Sequence, residues 1–224
     1  MRIRVGVIFG GETVEHEVSI ISAIQAMNKM DEEKYDIVPI YITKDREWYT
    51  GDMLKDIDVY QDLNLIKKYG SNVVLYYKNG SYVLEKKKGF KRVVKEIDID
   101  FPIVHGTNVE DGVLQGYLQS IGIPFVGPIV YAAVAGQDKT IMKDIWKEID
   151  LPMTKYVWFY DTDYRQDKDS VLDKIKGLKY PLIVKPATTG SSVGISFCDD
   201  INSLKEGIDQ AVQYDTKIIV EEVV

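Results

Sequence analysis

The segment Lys185-Pro186-Ala187-Thr188-Thr189-Gly190-Ser191-Ser192-Val193-Gly194 sets a lysine at the end of an apolar run and follows it with small residues. Residues without bulk at Cβ let successive backbone N–H groups approach an anion, and Lys185 adds a point charge from the strand beneath. That chemistry suits phosphate. The flanking runs Leu182-Ile183-Val184-Lys185 and Val193-Gly194-Ile195-Ser196-Phe197 predict a strand, a tight loop and a returning strand. No Gly-Lys-Ser/Thr opens a helix, so this is not a Walker loop. Read alone, Gly-Ser-Ser is also ordinary hairpin chemistry.

Two further segments gather titratable groups at glycine turns. Gly10-Gly11-Glu12-Thr13-Val14-Glu15-His16-Glu17-Val18-Ser19 places carboxylates and a histidine where a helix begins; Glu12, Glu15 and Glu17 are equally good company for a helix dipole, as capping residues. His105-Gly106-Thr107-Asn108-Val109-Glu110-Asp111-Gly112 repeats the arrangement, and there the alternative is an acidic helix start with a hydrogen-bonded structural histidine. His16 and His105 are the two histidines of the chain and lack zinc spacing. Lys139 follows Asp138 at a predicted helix start, where a cation is disfavoured unless an anion lies nearby; a lone surface lysine is the plainer reading. Cys198 lacks the context of a nucleophile, and Trp48, Trp146 and Trp158 read as packing residues.

The elements that position these groups alternate. Ile3–Phe9 is a near-continuous apolar run, Val18, Ile21, Ala23, Ile24 and Met27 recur at roughly helical spacing, and 36–42 supplies a second strand: a βαβ unit of a parallel sheet, with ligands at the carboxyl ends of its strands. Asn79-Gly80 joins Val73–Tyr77 to Ser81–Leu84 as a two-residue hairpin, within an elaboration over about 54–95. A strand at 101–104, a helix from Gly112 to Ile121 and a short Phe125-Val126 strand follow. Gly127-Pro128 predicts a boundary, giving an N-terminal domain at 1–127 and a second one at 128–224. The second carries helices at 129–135 and 138–149, a strand at 155–159, a helix at 170–176, the loop region, a helix at 202–213 and a strand at 217–222. The chain stops inside the apolar pattern Ile218–Val224, which predicts a piece of a longer protein.

A chain of 224 residues, 45% hydrophobic and 28% charged, is long enough for one large or two smaller domains. The net charge of -7 argues against a duplex nucleic-acid binder, and Glu85–Arg92, although basic, reads as a solvated hairpin end. One cysteine excludes an intrachain disulfide and fits a reducing compartment. The opening Met1-Arg2-Ile3-Arg4 leads into a strand pattern rather than a signal peptide, and no apolar stretch is long enough to span a membrane. A cytoplasmic location is the expectation.

Together, four blocks resemble the D-alanine:D-alanine ligases of the ATP-grasp superfamily: 10–19, 105–116 with Gln115-Gly116, Asp138-Lys139, and 185–194. The resemblance implies an α/β fold, with a Rossmann-like pre-ATP-grasp domain of parallel sheet followed by the central α+β subdomain of an ATP-grasp fold. It implies ligation of two D-alanines through an acyl phosphate, for peptidoglycan precursor synthesis. ATP and Mg2+ or Mn2+ are the implied cofactors, and a homodimer through the first domain is the implied assembly. By resemblance, Glu15 orients the first D-alanine, Ser191 joins the network closing over the substrates, and His105 and Glu110 line the substrate side. Lys139 and Lys185 contact ATP phosphates, the backbone around Ser192 covers the β and γ groups, and Glu221, Glu222 and the residues to Val224 form a linker that reads adenine. Those roles agree with the charge logic of phosphoryl transfer.

The sequence departs from the family pattern at Asn108-Val109, where a glycine is expected before Glu-Asp-Gly, at Gln137, where methionine is usual, and at Thr188-Thr189; these put loop conformation in question. The family's further half, with its metal ligands and transition-state arginine, has no counterpart here, so the 224-residue polypeptide is expected to be catalytically dead or nearly so. The other readings are a ligase that takes D-serine or D-lactate second, and a non-catalytic nucleotide-binding or interaction module.

Overall fold

The computed structural model describes residues 2–90 and 92–224, which form two compact units, Met1–Ala133 and Val134–Val224. Lys91, part of the basic cluster named above, lies outside the described residues.

In the first unit the chain runs β1 (Ile3–Gly10), α1 (His16–Met27), β2 (Tyr35–Ile42), β3 (Trp48–Thr50), α2 (Leu63–Tyr69), β4 (Ser71–Lys78), β5 (Ser81–Lys86), β6 (Val93–Ile97), β7 (Ile99–Pro102) and α3 (Val113–Ile121); α4 (Val130–Gln137) crosses into the second. The strands make one seven-stranded sheet in the order β6-β5-β4-β3-β2-β1-β7. β1 pairs in parallel with both β2 and β7. Residues of β1 are buried on both faces, which is why it reads as an unbroken apolar run. Ile8 packs with Ile40, Leu114 and Leu118, whereas Val5, Val7 and Phe9 pack with Ile20, Ala23, Ile24 and Met27 of α1.

The expected parallel βαβ unit forms around β1, and two other sequence expectations, the phase of α1 and a strand at Phe125-Val126, need correction. The sheet is parallel only across β2, β1 and β7; β3 to β6 continue it antiparallel. The expected hairpin elaboration is continuous with that sheet, because β3, too short to announce itself, bridges β2 to β4. In α1, Val18 and Ile21 are about half exposed, each 50%; the buried stripe starts instead from His16 and Ser19. Phe125-Val126 contributes only a bridge between Phe125 and Asp100. The Asn79-Gly80 hairpin forms with both residues left-handed, φ 50° and 90°, the geometry of a type I′ turn.

The second unit contains α5 (Lys139–Glu148), β8 (Tyr156–Tyr160), α6 (Asp161–Gln166), α7 (Lys168–Ile175), β9 (Leu182–Pro186), β10 (Ser196–Cys198), α8 (Ile201–Ala211) and β11 (Lys217–Glu222). Its antiparallel sheet has the order β10-β9-β11-β8. Side chains alternate across the strands. Phe159, Leu182, Val184, Ile218 and Val220 point to the core made with α6, α7 and α8, and Lys185, Glu221 and Trp158 fall on the opposite face by that alternation. The returning strand expected at 193–197 begins only at Ser196, so the loop between β9 and β10 spans 187–195. The chain is still turning before then: Val193 N–H donates to Gly190 O at 3.2 Å, and Gly194 is left-handed at φ 71°.

Candidate functional site

In the first unit the site is built where β1 meets α1. Gly10 is left-handed, φ 88°, and a Cβ there would sit 2.2 Å from Ile42 O, so only glycine lets β1 turn off the sheet at this point. Ser19 fastens the turn: its Oγ accepts from Gly10 N–H at 2.8 Å and donates to Ile103 O at 2.6 Å. Glu15 occupies the N-cap position of α1 but makes no side-chain cap bond. Glu12 and Glu17 pair with Arg46 and Lys44. Glu17 lies in the first turn of α1, where its charge complements the helix dipole, while the side chain at the N-cap makes no capping bond.

Glu15, His105 and Glu110 are brought together around Gly106. Glu110 Oε2 accepts from Gly106 N–H at 2.6 Å. A Cβ on Gly106, which is left-handed at φ 89°, would lie 2.2 Å from Thr13 Oγ1 and 2.7 Å from Glu15 Oε2. The absence of a side chain at 106 thus gives the Glu15 carboxylate its place. His105 Nε2 lies 3.2 Å from Ser22 Oγ and is only half-buried. Asn108 takes a left-handed conformation, φ 68°, which asparagine tolerates, and its Nδ2 donates to Glu12 O at 3.0 Å. Val109 is buried against Gly11.

His16 turns inward. Its Nδ1 lies 2.6 Å from Gly11 O and its Nε2 2.9 Å from Tyr41 Oη. A carbonyl can only accept, so Nδ1 carries the proton and Nε2 accepts from Tyr41. Burial holds the imidazole below its ordinary pKa, consistent with a neutral ring. It braces the glycine turn and does not face a ligand edge.

In the second unit α5 packs its polar face over the sheet. Asp138 caps α5, accepting from Thr140 N–H at 2.8 Å and Ile141 N–H at 3.2 Å, and accepts from Lys217 Nζ at 2.9 Å. Lys139 Nζ donates to Pro186 O, Ala187 O and Thr189 O at 3.2, 3.2 and 2.9 Å. Burial lowers its pKa. The cation at the helix start is thus accommodated by loop carbonyls, and it is not a lone surface lysine. Lys185 Nζ is 2.5 Å from Glu221 Oε1, and Lys143, one turn beyond Lys139, is 2.7 Å from Glu221 Oε2. Thr154 Oγ1 donates to the same Oε2 at 2.9 Å. Burial alone would push the Glu221 carboxyl up; the bonds from Lys143, Lys185 and Thr154 outweigh it and hold the pKa below the ordinary range.

Ser191 and Ser192 stand exposed at the loop tip with φ 50° and 58°, so Gly190–Val193 is a turn whose central residues are both left-handed. Glu221 and Glu222 lie in β11 and not in a linker: Glu221 sits in the ladder between β8 and β9, and Glu222 N–H donates to Lys155 O at 3.0 Å. Val224 is exposed beyond the strand. Lys143, Thr154, Asp215 and Lys217 were not singled out from sequence. The signal for Lys143 was its position four residues after Lys139, on the same helix face; isolated charges such as Asp215 give none. Cys198 is fully buried with its thiol pushed up to about 11, chiefly by burial and then by Asp199 and Asp200. Among the described residues no group of three His, Cys, Asp or Glu could hold a metal ion, and no helix is long and apolar enough to cross a membrane.

Comparison with known proteins gives one family throughout. Residues 4–128 match the D-ala D-ala ligase N-terminus and residues 145–224 the D-ala D-ala ligase C-terminus. The chain is 41% identical to a D-alanine--D-alanine ligase of Natranaerobius thermophilus over 99% of this chain and 60% of that protein. With the Bacillus velezensis D-alanine--D-alanine ligase it shares 40% identity over 96% of this chain and 60% of the relative. Among solved structures, a D-Ala:D-Ser ligase from Enterococcus faecalis superposes with a TM-score of 0.83 at 30% identity, covering 100% of this chain and 63% of that one. A D-alanine-D-alanine ligase from Coxiella burnetii gives 0.84 at 25% identity, covering 100% and 62%. The chain spans about 60% of the length of the curated relatives it matches.

Proposed function

Since this chain belongs to the D-alanine–D-alanine ligase family, we propose that it supplies the amino-acid-binding and nucleotide-phosphate-binding parts of an enzyme that joins two D-alanines using ATP. The observation that carries the reading is the 187–195 loop, which follows Lys185 on β9, bonds Lys139 through its carbonyls and exposes its serines at the tip. Residues 1–127 hold the amino acid and 128–224 the phosphates. The carboxylate of the first D-alanine takes the γ-phosphoryl group of ATP, ADP leaves, and the amine of the second D-alanine displaces phosphate to form the amide.

In this scheme Glu15 accepts the ammonium of the first D-alanine, with His105 and Glu110 shaping the wall beside it. Lys139, Lys185 and the amides near Ser192 stabilise charge on the phosphates as it moves, Ser191 bonds to the substrates, and the end of β11 from Glu221 and Glu222 to Val224 runs beside adenine. Mg2+ or Mn2+ would serve the full reaction by neutralising phosphate charge, and the described residues offer no carboxylate set to hold it. Cytoplasmic peptidoglycan precursor synthesis and a homodimer through the first unit complete the proposal. A ligase that takes D-serine second is the other reading, supported by the likeness to the E. faecalis enzyme.

Calorimetric titration of the 224-residue polypeptide with adenylyl imidodiphosphate and with D-alanine tests the binding roles. Nucleotide binding abolished by Lys185→Ala supports them; no heat with either ligand rejects them. The polypeptide by itself is expected to release no phosphate from ATP with D-alanine present, and robust release would overturn that expectation.

A further inference from the structure

The loop that carries the proposed phosphate site is held at its base by more than its lysine. Ala187 N–H donates to Lys217 O at 2.8 Å, and Lys139 N–H donates to Ala187 O at 3.0 Å. Gln137 Nε2 donates to Thr188 O at 2.7 Å. From the other side Asp215 Oδ2 accepts both Thr188 N–H at 2.7 Å and Thr188 Oγ1–H at 2.8 Å, while its Oδ1 accepts Lys217 N–H at 3.0 Å. The Asp215 carboxylate is therefore tied to the leading end of β11 through one oxygen and to the loop through the other.

We propose that Asp215 is the positioning residue of the phosphate loop: by fixing Thr188 against the start of β11 it sets where the Gly190–Val193 turn presents its amides. This rests on the nucleotide reading above. The physical case is a contrast along nine residues. At 187–188 the backbone groups are bonded to α5, to Gln137 and to the β11 side, whereas the tip turns on Ser191 and Ser192, exposed and left-handed at a cost of roughly 1 kcal/mol each. A strained turn keeps its aim only if its base is fixed. The hydroxyl of Thr188 is what lets one carboxylate oxygen take two bonds. Gln137 holds the same residue through its carbonyl oxygen. Gln137, Thr188 and Asp215 thus belong to one arrangement.

Asp215 touches no ligand in this scheme, so the test must separate aiming from folding. Amide hydrogen exchange across 188–193 and equilibrium binding of adenylyl imidodiphosphate and of adenosine are compared for the 224-residue chain and for Asp215→Ala. Two charge-assisted bonds to Thr188 are lost. The expected result is exchange in the loop faster by on the order of tenfold, unchanged exchange in α7 and α8, nucleotide Kd raised on the order of tenfold, and adenosine Kd unmoved. Unaltered loop exchange, or equal weakening of nucleotide and adenosine, overturns the proposal. Should Asp215→Ala fail to fold, Thr188→Val removes one of the bonds with β11 intact, and the same loop-restricted exchange is then required. A wild-type chain that binds neither probe rejects the nucleotide reading itself, leaving loop exchange in the variants to show whether Asp215 is a pin at all.

Discussion

Asp100 offers the most quantitative handle on the first unit. It lies on β7 beside Gly6, where a Cβ would be 2.2 Å from Asp100 Oδ1. It is fully buried, and neither carboxyl oxygen has a hydrogen-bond partner among the described residues. Burial raises its pKa from 3.8 to about 8; Tyr117 of α3, itself pushed up by burial and then by Asp100, is the titratable group nearby. The folded state thus keeps the proton while the unfolded state loses it, so stability falls as pH rises between the two values. The shift is about 4 units, and at about 1.4 kcal/mol per unit the full penalty is about 6 kcal/mol, of which about 4 kcal/mol is present at pH 7. Asp100→Asn keeps the shape of the neutral acid and cannot ionise. Urea unfolding is followed by Trp48 fluorescence, with Trp146 and Trp158 replaced by Phe, at pH 5, 6, 7 and 8. The variant should gain roughly 3 to 4 kcal/mol on the parent across that range. His16, whose lowered pKa makes stability fall as pH drops below its unfolded value, acts in the opposite direction but equally in both proteins, so it cancels. A difference between the two proteins that stays flat from pH 5 to 8 would refute the reasoning.

Three other outcomes follow from single contacts. Gly106→Ala should cost at least about 1 kcal/mol from its left-handed backbone alone, and should abolish D-alanine binding because the methyl group lands on Thr13 and Glu15; binding within a factor of two of the parent would show that Glu15 does not hold the ligand. Lys143→Met should destabilise the second unit by about 2 kcal/mol by removing a charge-assisted bond to buried Glu221, measured by thermal unfolding; no change would mean that Lys185 and Thr154 suffice for the carboxylate. Cys198, buried and with its thiol pushed up to about 11, should resist alkylation at pH 8 in the native chain and react on unfolding; rapid labelling of folded protein would contradict its burial.

What could be read from sequence was what a strong local pattern encodes. The continuous apolar run of β1, the Asn79-Gly80 turn and the Asp138 cap each leave a local mark, and each is present in the structure. That the hairpin continues the first sheet was missed because β3, which joins them, spans only Trp48–Thr50, too short to show alternation. The phase of α1 was misread because its buried stripe includes His16 and Ser19, polar residues satisfied by long-range bonds to Tyr41 and Ile103. In the site, Glu15, His105 and Glu110 were named as separate points; that one glycine gathers them is a matter of tertiary approach. Lys139 and Lys185 were legible as cations, but their partners were not, since ion pairs and carbonyl contacts made across strands leave no spacing to read.

Those partners bear on how a polyanion would be received. Lys139 is engaged with loop carbonyls, Lys217 with Asp138, and both Lys143 and Lys185 with Glu221. A phosphate bound as proposed would therefore meet ammonium groups that already have acceptors, and drawing Lys185 toward it would mean loosening the contact with Glu221. In a buried setting, stripping a carboxylate of its only cation is costly. Here Lys143 and Thr154 remain on the other oxygen when Lys185 leaves, so Glu221 stays ionised and bonded. The second lysine follows from the fold: it stands four residues after Lys139 on α5, above a β11 residue that alternation turns to the same face as Lys185. If the proposed role of Lys185 holds, its departure would be eased by a charge that the helix delivers for structural reasons, and Lys143→Met should weaken phosphate-bearing ligands as well as the fold.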